Sequence, residues 1–251
     1  NAVRDSVRAR NRVWAFLNQY GIKQPPGFEL ASDRALEKLL TLKTWTSMQQ
    51  TALAELVLVF RQADERRTRL HGRIAAEVAA DPAILRLVGL LGVRDRVAFA
   101  LAAFIFPIER FANPRKLVAF LGLCPSVQTS GIGGGHGPLS GYGRADVRAL
   151  LIQAAHSILR YGRGQTHRWA LALKMRKGAN IAVAAVARKL VVSVWYLLKG
   201  CFTPMTEPTP QLRTKLRKIA STIGRPQLKQ LGFDSLVDFE NAKTRIIIGI
   251  S

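Results

Sequence analysis

Four hydroxyls, Ser126, Thr129, Ser130 and Ser140, crowd one short stretch that also holds Gly131, Gly133, Gly134, Gly135 and Gly137. A serine hydroxyl becomes a nucleophile when a base or a metal ion helps to remove its proton. A glycine-rich loop lets such a group move onto a bound substrate. Glycines also let backbone amides come close to phosphate oxygens. Within the stretch, His136 is the one imidazole that could serve as a base. On chemistry alone Ser130 is one hydroxyl among four. The glycines do not make a nucleotide loop: no Gly-Lys-Ser/Thr ending follows them, and no GxGxxG opens a helix after a strand.

Other chemistry has less material. His71, His136, His156 and His167 do not fall at metal-ligand spacings, and they do not pair with Cys124 and Cys201 as a zinc site requires. No metal-binding residue is assigned. Two-metal phosphoryl transfer needs several convergent carboxylates. After Ser130 the chain has five acids, four of them beyond Cys201. Carboxylates for metal-assisted cutting would have to come from outside this chain.

The charge points to a polyanion. Lys and Arg total 38 against 16 Asp and Glu, a formal net charge of +22. From Val147 to Thr206 there are ten Lys or Arg and no acid. Such a surface favours nucleic acid. An anionic membrane would suit one strongly amphipathic helix better than charge spread over several. The longest uncharged apolar run, Val97 to Ile108, is too short to span a bilayer. Two cysteines make no disulfide framework and fit a reducing cytoplasm, so a cytoplasmic protein is expected.

The elements that must position this chemistry are mostly helical. Residues 1–20 predict a helix with Val7, Val13, Phe16, Leu17 and Tyr20 on one side, stopped by Gly21. Asp33 is a cap candidate for a short helix through Leu42. Thr46 and Gln49 have capping-box spacing and open a helix from Ser47 to Ala80. Its stripe, Leu53, Leu56, Phe60, Ala63, Leu70, Ile74 and Val78, suggests a helical hairpin or coiled-coil arm that pairs subunits. Asp81-Pro82 and Asn113-Pro114 each read as an N-cap followed by proline at the first helical position. Leu91-Gly92-Val93 lies between two helices in the outline of a helix-hairpin-helix. Arg94 stands where its second glycine belongs, so a plain helix-turn-helix core is expected. Helices are predicted over 144–160, 163–174 and 179–199, with residues 123–143 as a loop. Past Cys201 come a linker, a basic helix over 211–221, a short helix capped by Asp234, and an apolar end read as strand or tail.

The order Asn113-Pro114-x-Lys116-Leu117-Val118-Ala119-Phe120-Leu121-Gly122-Leu123-x-Pro125, then Ser130-Gly131, then Gly143-Arg144-x-Asp146-x-Arg148-x-Leu150-Leu151-Ile152-Gln153-x-Ala155, resembles one family closely. It is similar to the transposase domain of the insertion-sequence family IS110 and its IS1111 subgroup, the bridge-RNA-guided recombinases. The segments 11–21 and 182–190 add to the resemblance, which covers Ser6 to Gly200.

The resemblance implies a division of labour. Residues 1–80 would form a coiled-coil dimerisation region, 81–200 a compact helical transposase domain with a glycine-rich active-site loop, and 201–251 a linker and basic tail. Ser130 is implied as the nucleophile that joins covalently to DNA, with Gly131, Gly133 and Gly143 in its loop. In the family a RuvC-like domain with four magnesium-binding acids precedes the coiled coil, so this chain alone is expected not to cut DNA. The implied partners are donor and target DNA, a structured bridge RNA as guide, and further copies in a dimer or tetramer. Membranes are not among them. Arg144, Arg148, Arg160, Arg163, Lys174, Arg176, Lys177, Arg188 and Lys189 are assigned to nucleic-acid backbone contacts, which position without reading sequence. A non-catalytic binding and dimerisation module, and a protein-only DNA invertase, remain open alternatives.

Overall fold

The computed structural model describes residues 2–25, 27–130, 133–139, 142–201, 205–206 and 209–248. The mostly α expectation is borne out: the described residues hold twelve α-helices and one two-stranded sheet. They fall into two compact units, residues 1–73 and 74–251.

The first unit contains α1 (Ala2–Gln19), α2 (Ala35–Thr41) and most of α3 (Ser47–Ala80). Its core joins Ala9, Val13, Trp14 and Leu17 of α1 to Leu39 of α2 and to Leu53, Val57 and Phe60 of α3. The α1 face is turned relative to the sequence reading. Val7 is exposed and Ser6 is buried, because the Ser6 hydroxyl donates to Asp64 Oδ1 at 2.9 Å. A polar residue with its own partner can replace an apolar one at a buried position, and hydrophobic spacing cannot see that. The capping box forms as expected: Thr46 N donates to Gln49 Oε1 at 3.0 Å, and Gln49 N to Thr46 Oγ1 at 3.3 Å. The Asp33 cap does not form. Arg34 holds the N-cap position of α2 without a side-chain bond, and the Asp33 carbonyl instead accepts from Arg61 at 2.8 Å. The apolar stripe of α3 is not one continuous seam. Leu53, Val57 and Phe60 serve one core and Ala75, Val78 and Ala79 another, while residues 65–70 between them are exposed.

The second unit is built around α9 (Ala179–Leu198). Its small and β-branched residues Ala182, Val183, Val186, Ala187, Leu190, Val191 and Val194 are buried. α9 has the length and the mean hydropathy, 1.8, of a membrane span. Here that apolar surface is what α4 (Pro82–Val88), α6 (Pro114–Phe120), α7 (Ala145–Tyr161) and α8 (Gly164–Lys177) pack against. Both Pro-led helices start as expected. Asp81 Oδ1 accepts from Ala83 N and Ile84 N, and Asn113 Oδ1 accepts from Lys116 N at 3.1 Å. The turn between α4 and α5 (Asp95–Ile105) is packing, not a phosphate cradle. Leu91 N–H is used by the Met205 carbonyl at 2.8 Å, and a side chain at Gly92 would strike the Ala154 carbonyl and Ile158.

Residues beyond Cys201 are more structured than a linker and tail. Thr206 bridges Leu90, Met205 is fully buried, and α10 (Thr209–Ile223), α11 (Arg225–Gln230) and α12 (Leu236–Ile248) follow. α12 packs on α10 and α4. The apolar run read as strand or tail is thus helical through Ile248. Ser235, not Asp234, caps that helix: its hydroxyl accepts from Asp238 N at 3.1 Å.

Candidate functional site

The stretch expected as a loop is largely a β-hairpin. β1 (Pro125–Ser130) pairs antiparallel with β2 (Gly133–Leu139), with Val127 opposite His136, Thr129 opposite Gly134 and Ser130 opposite Gly133. The pairing is irregular between Pro125 and Val127. Ser130 is the last residue of β1 and Gly133 the first of β2, so the backbone brings these two site residues together. Gly131 and the competing hydroxyl of Ser140 lie outside the described residues, as does the setting of the Ser130 hydroxyl. Ser126 is half-buried near the hairpin's base.

What positions the hairpin is its foot. α6 ends at Phe120 and α7 begins at Ala145, and the chain between them leaves and returns through two glycines. Gly122 has φ +67° and Gly143 φ +95°, both in the region that disfavours side chains. They also touch. A Cβ at Gly122 would collide with the Tyr142 carbonyl and the Arg148 guanidinium, and one at Gly143 with the Phe120 carbonyl and Gly122 N. Arg148 Nη1 donates to the Tyr142 carbonyl at 3.1 Å, tying α7 to the chain that returns from the hairpin. Gly122 was missed as a site residue because it reads simply as a helix stop. Its signal is the pair Gly122 and Gly143 bracketing the hydroxyl-rich stretch.

Arg144 is equally engaged. Its Nε and Nη2 reach the two oxygens of Asp146 at 3.1 and 2.8 Å, and its guanidinium lies 3.8 Å from the Phe104 ring centroid. Asp146 Oδ1 also accepts from Val147 N at 3.0 Å, in the first turn of α7. The hydrogen bond from Arg144 holds the Asp146 carboxyl below the usual carboxylate range, and Asp146 pushes Arg144 up. Nearby, Arg110 donates to the Phe104 carbonyl at 2.6 Å and stacks on Phe111 and Phe120. Sequence gave no signal for Arg110, whose role depends on a carbonyl six residues away.

The remaining assigned cations divide by environment. Lys189 sits 4.6 Å from the Trp169 ring centroid. Arg160, exposed, lies 5.3 Å from the Tyr161 ring. Arg163 is exposed at the N-cap of α8. Lys174, Arg176 and Lys177 are exposed in the last turn of α8, and Arg188 is exposed on α9. His167 Nδ1 is 2.9 Å from the Ile158 carbonyl, a structural contact. Among the described residues no three His, Cys, Asp or Glu side chains converge to hold a metal ion.

Residues 86–170 match the model of the transposase IS116/IS110/IS902 family. This segment runs from α4 into α8 and so contains the hairpin and its foot. Over these residues the chain resembles an IS110-family transposase. Individual proteins similar to the chain agree. A probable family 20 transposase of Pseudomonas aeruginosa is 29% identical, over 79% of this chain and 62% of that protein. The transposase for insertion sequence element IS1111A of Coxiella burnetii is 28% identical, over 75% of this chain and 53% of the relative. That for IS1328 of Yersinia enterocolitica is 25% identical, over 77% and 58%. The chain thus spans between 53% and 62% of the length of these relatives.

Proposed function

We propose that this chain is the serine-bearing part of an insertion-sequence DNA transposase, with Ser130 as the nucleophile. The observation that carries the reading is the match of residues 86–170 to the transposase family, since the hairpin ending β1 at Ser130 lies wholly inside that segment. In the reaction, Ser130 Oγ bonds to a DNA phosphorus and a bridging oxygen leaves as a strand hydroxyl. A hydroxyl of the exchange partner then displaces the serine. Each step trades one phosphoester for another, so the covalent link conserves the bond energy that resealing needs.

The foot supports such a step by giving the hairpin a fixed root on α6 and α7. A nucleophile is productive only within a narrow range of positions. The exposed cations of α8 and α9 would grip the phosphate backbone, and a structured RNA paired with both DNAs would supply sequence choice. Assembly as a dimer or tetramer would bring together serines and metal-binding acids from different subunits. Magnesium does not fit the described residues of this chain, which bring no carboxylate set together. Its ligands would belong to a RuvC-like domain of the longer protein.

The test uses the full-length protein with its RNA. Ser130→Ala should abolish both recombination and the covalent protein–DNA adduct while RNA and DNA binding stay near wild type. Ser126→Ala should retain both activities. Recombination by Ser130→Ala at the wild-type rate removes the serine role. Undiminished recombination without the RNA would make the protein a protein-only invertase.

A further inference from the structure

A second basic surface joins Arg94, inside the family-matched segment, to five residues of α10 beyond it. The start of α5 and one side of α10 enclose an open groove of about 460 Å³ lined by Arg94, Thr214, Lys215, Arg217, Lys218 and Ser221. We propose that this groove binds the phosphate backbone of duplex DNA, as a contact separate from the α8 and α9 cations. The proposal rests on the DNA reading above and adds a place on the protein.

The lining has four cations and two hydroxyls, with no carboxylate and no aromatic ring. Cations and hydroxyls are the side chains that hold phosphate oxygens. Without an aromatic platform the groove has nothing on which unpaired bases could stack, which argues against a single strand. The α10 sequence sorts cleanly into two faces. Leu212, Leu216, Ile219, Ala220 and Ile223 are buried, while Thr214, Arg217, Lys218 and Ser221 are exposed at spacings of three, four and seven. That line is about 10 Å long at 1.5 Å per residue, so it follows a backbone rather than enclosing one small anion.

Two of the cations are held in place by the fold. Lys215 Nζ donates to the Val88 and Leu90 carbonyls at 3.1 and 2.7 Å. Arg217 pairs with Glu240, a fully buried carboxylate that Arg213 also approaches at 3.7 Å. One acid therefore offsets one of two arginines, and the surface stays positive. Fixed cations lose little freedom on binding, so the cost of ordering them is met in folding. Arg94 and Lys218, both exposed, are the groups left to reach outward.

The experiment measures binding of the full chain to a short duplex of unrelated sequence across salt. Each lost phosphate contact lowers the slope of log Kobs against log salt by about 0.9. Arg94→Ala/Lys218→Ala should lower it by about 1.8, which narrows the loss of affinity between about 50 and 200 mM salt by about twelvefold. Arg94→Lys/Lys218→Arg should restore the slope. Arg66→Ala/Arg69→Ala removes the same charge from exposed positions of α3 and should leave the slope alone. An unchanged slope in the groove variant overturns the proposal, as does an equal fall in the α3 control. A fall seen with an RNA hairpin but not with duplex DNA also overturns it. No DNA binding by the wild-type chain would sink the DNA reading itself, which keeps the two failures apart.

Discussion

The arginines at the start of α7 and the cations at the end of α8 look alike in sequence and behave differently in the fold. Arg144 and Arg148, though partly exposed, are engaged by the chain's own groups: a carboxylate, an aromatic ring and a backbone carbonyl. Lys174, Arg176 and Lys177 stand in solvent at a helix C-terminus. Their charge complements the helix dipole there, a modest stabilisation of about 0.3–1 kcal/mol each that leaves their hydrogen-bond donors available. Charge counting therefore overstates the number of available cations at α7 and describes it better at α8. The first set holds the hairpin; the second is free to hold something else.

The largest test of that contrast strikes the foot. Gly122→Ala forces a side chain into positive φ against the Tyr142 carbonyl and Arg148. It should cost about 3 kcal/mol or more and lower the melting temperature of the second unit by about 6–12 °C. A wild-type melt would mean that the hairpin does not depend on its glycine pair. The middle test compares the two cation sets directly. Arg148→Ala should lower stability by about 1.5–3 kcal/mol, the range for a charge-assisted hydrogen bond, and barely change the salt slope of DNA binding. Lys174→Ala/Arg176→Ala/Lys177→Ala should do the reverse, with a slope lower by about 2.7. Equal slopes from both variants would erase the distinction.

The smallest effect concerns pH. The Asp146 carboxyl is depressed in the folded protein, so its contribution is present above the ordinary carboxylate pKa of about 4 and is lost as pH falls through the lower folded value. Asp146→Asn should therefore lower stability slightly across the neutral region and flatten the acid limb below about pH 4, where variant and wild type converge. An acid limb identical to wild type would show that the Arg144 pair contributes nothing measurable.

Local signals in the sequence carried far where side chains spoke to their own neighbours. Thr46 with Gln49, Asp81 with Pro82 and Asn113 with Pro114 each marked a helix start that the structure keeps. The hairpin was not legible because strands announce themselves by alternating side chains, and β2 opens with three glycines. Its pairing is carried by backbone groups that every residue shares. The end of α12 was misread for the opposite reason. Ile246, Ile247 and Ile248 have strand-like preferences, but Ile247 packs at Gly89, a contact nearly the full length of the unit away in sequence. Arg144 and Arg148 were legible as important and not as structural, because their partners emerge only when α5, α6 and α7 meet.

The Lys215 ammonium lies beneath two carbonyls at the end of α4, and the Met205 carbonyl takes the amide of Leu91 beside them. These bonds make the last helices an integral wall of the second unit. A chain trimmed at Gly200 would not be a smaller domain but an unfinished one, with the Val88 and Leu90 carbonyls stripped of the Lys215 ammonium and an uncovered apolar seam. Anyone shortening this protein should keep the helices through Ile248 together with the rest of the second unit.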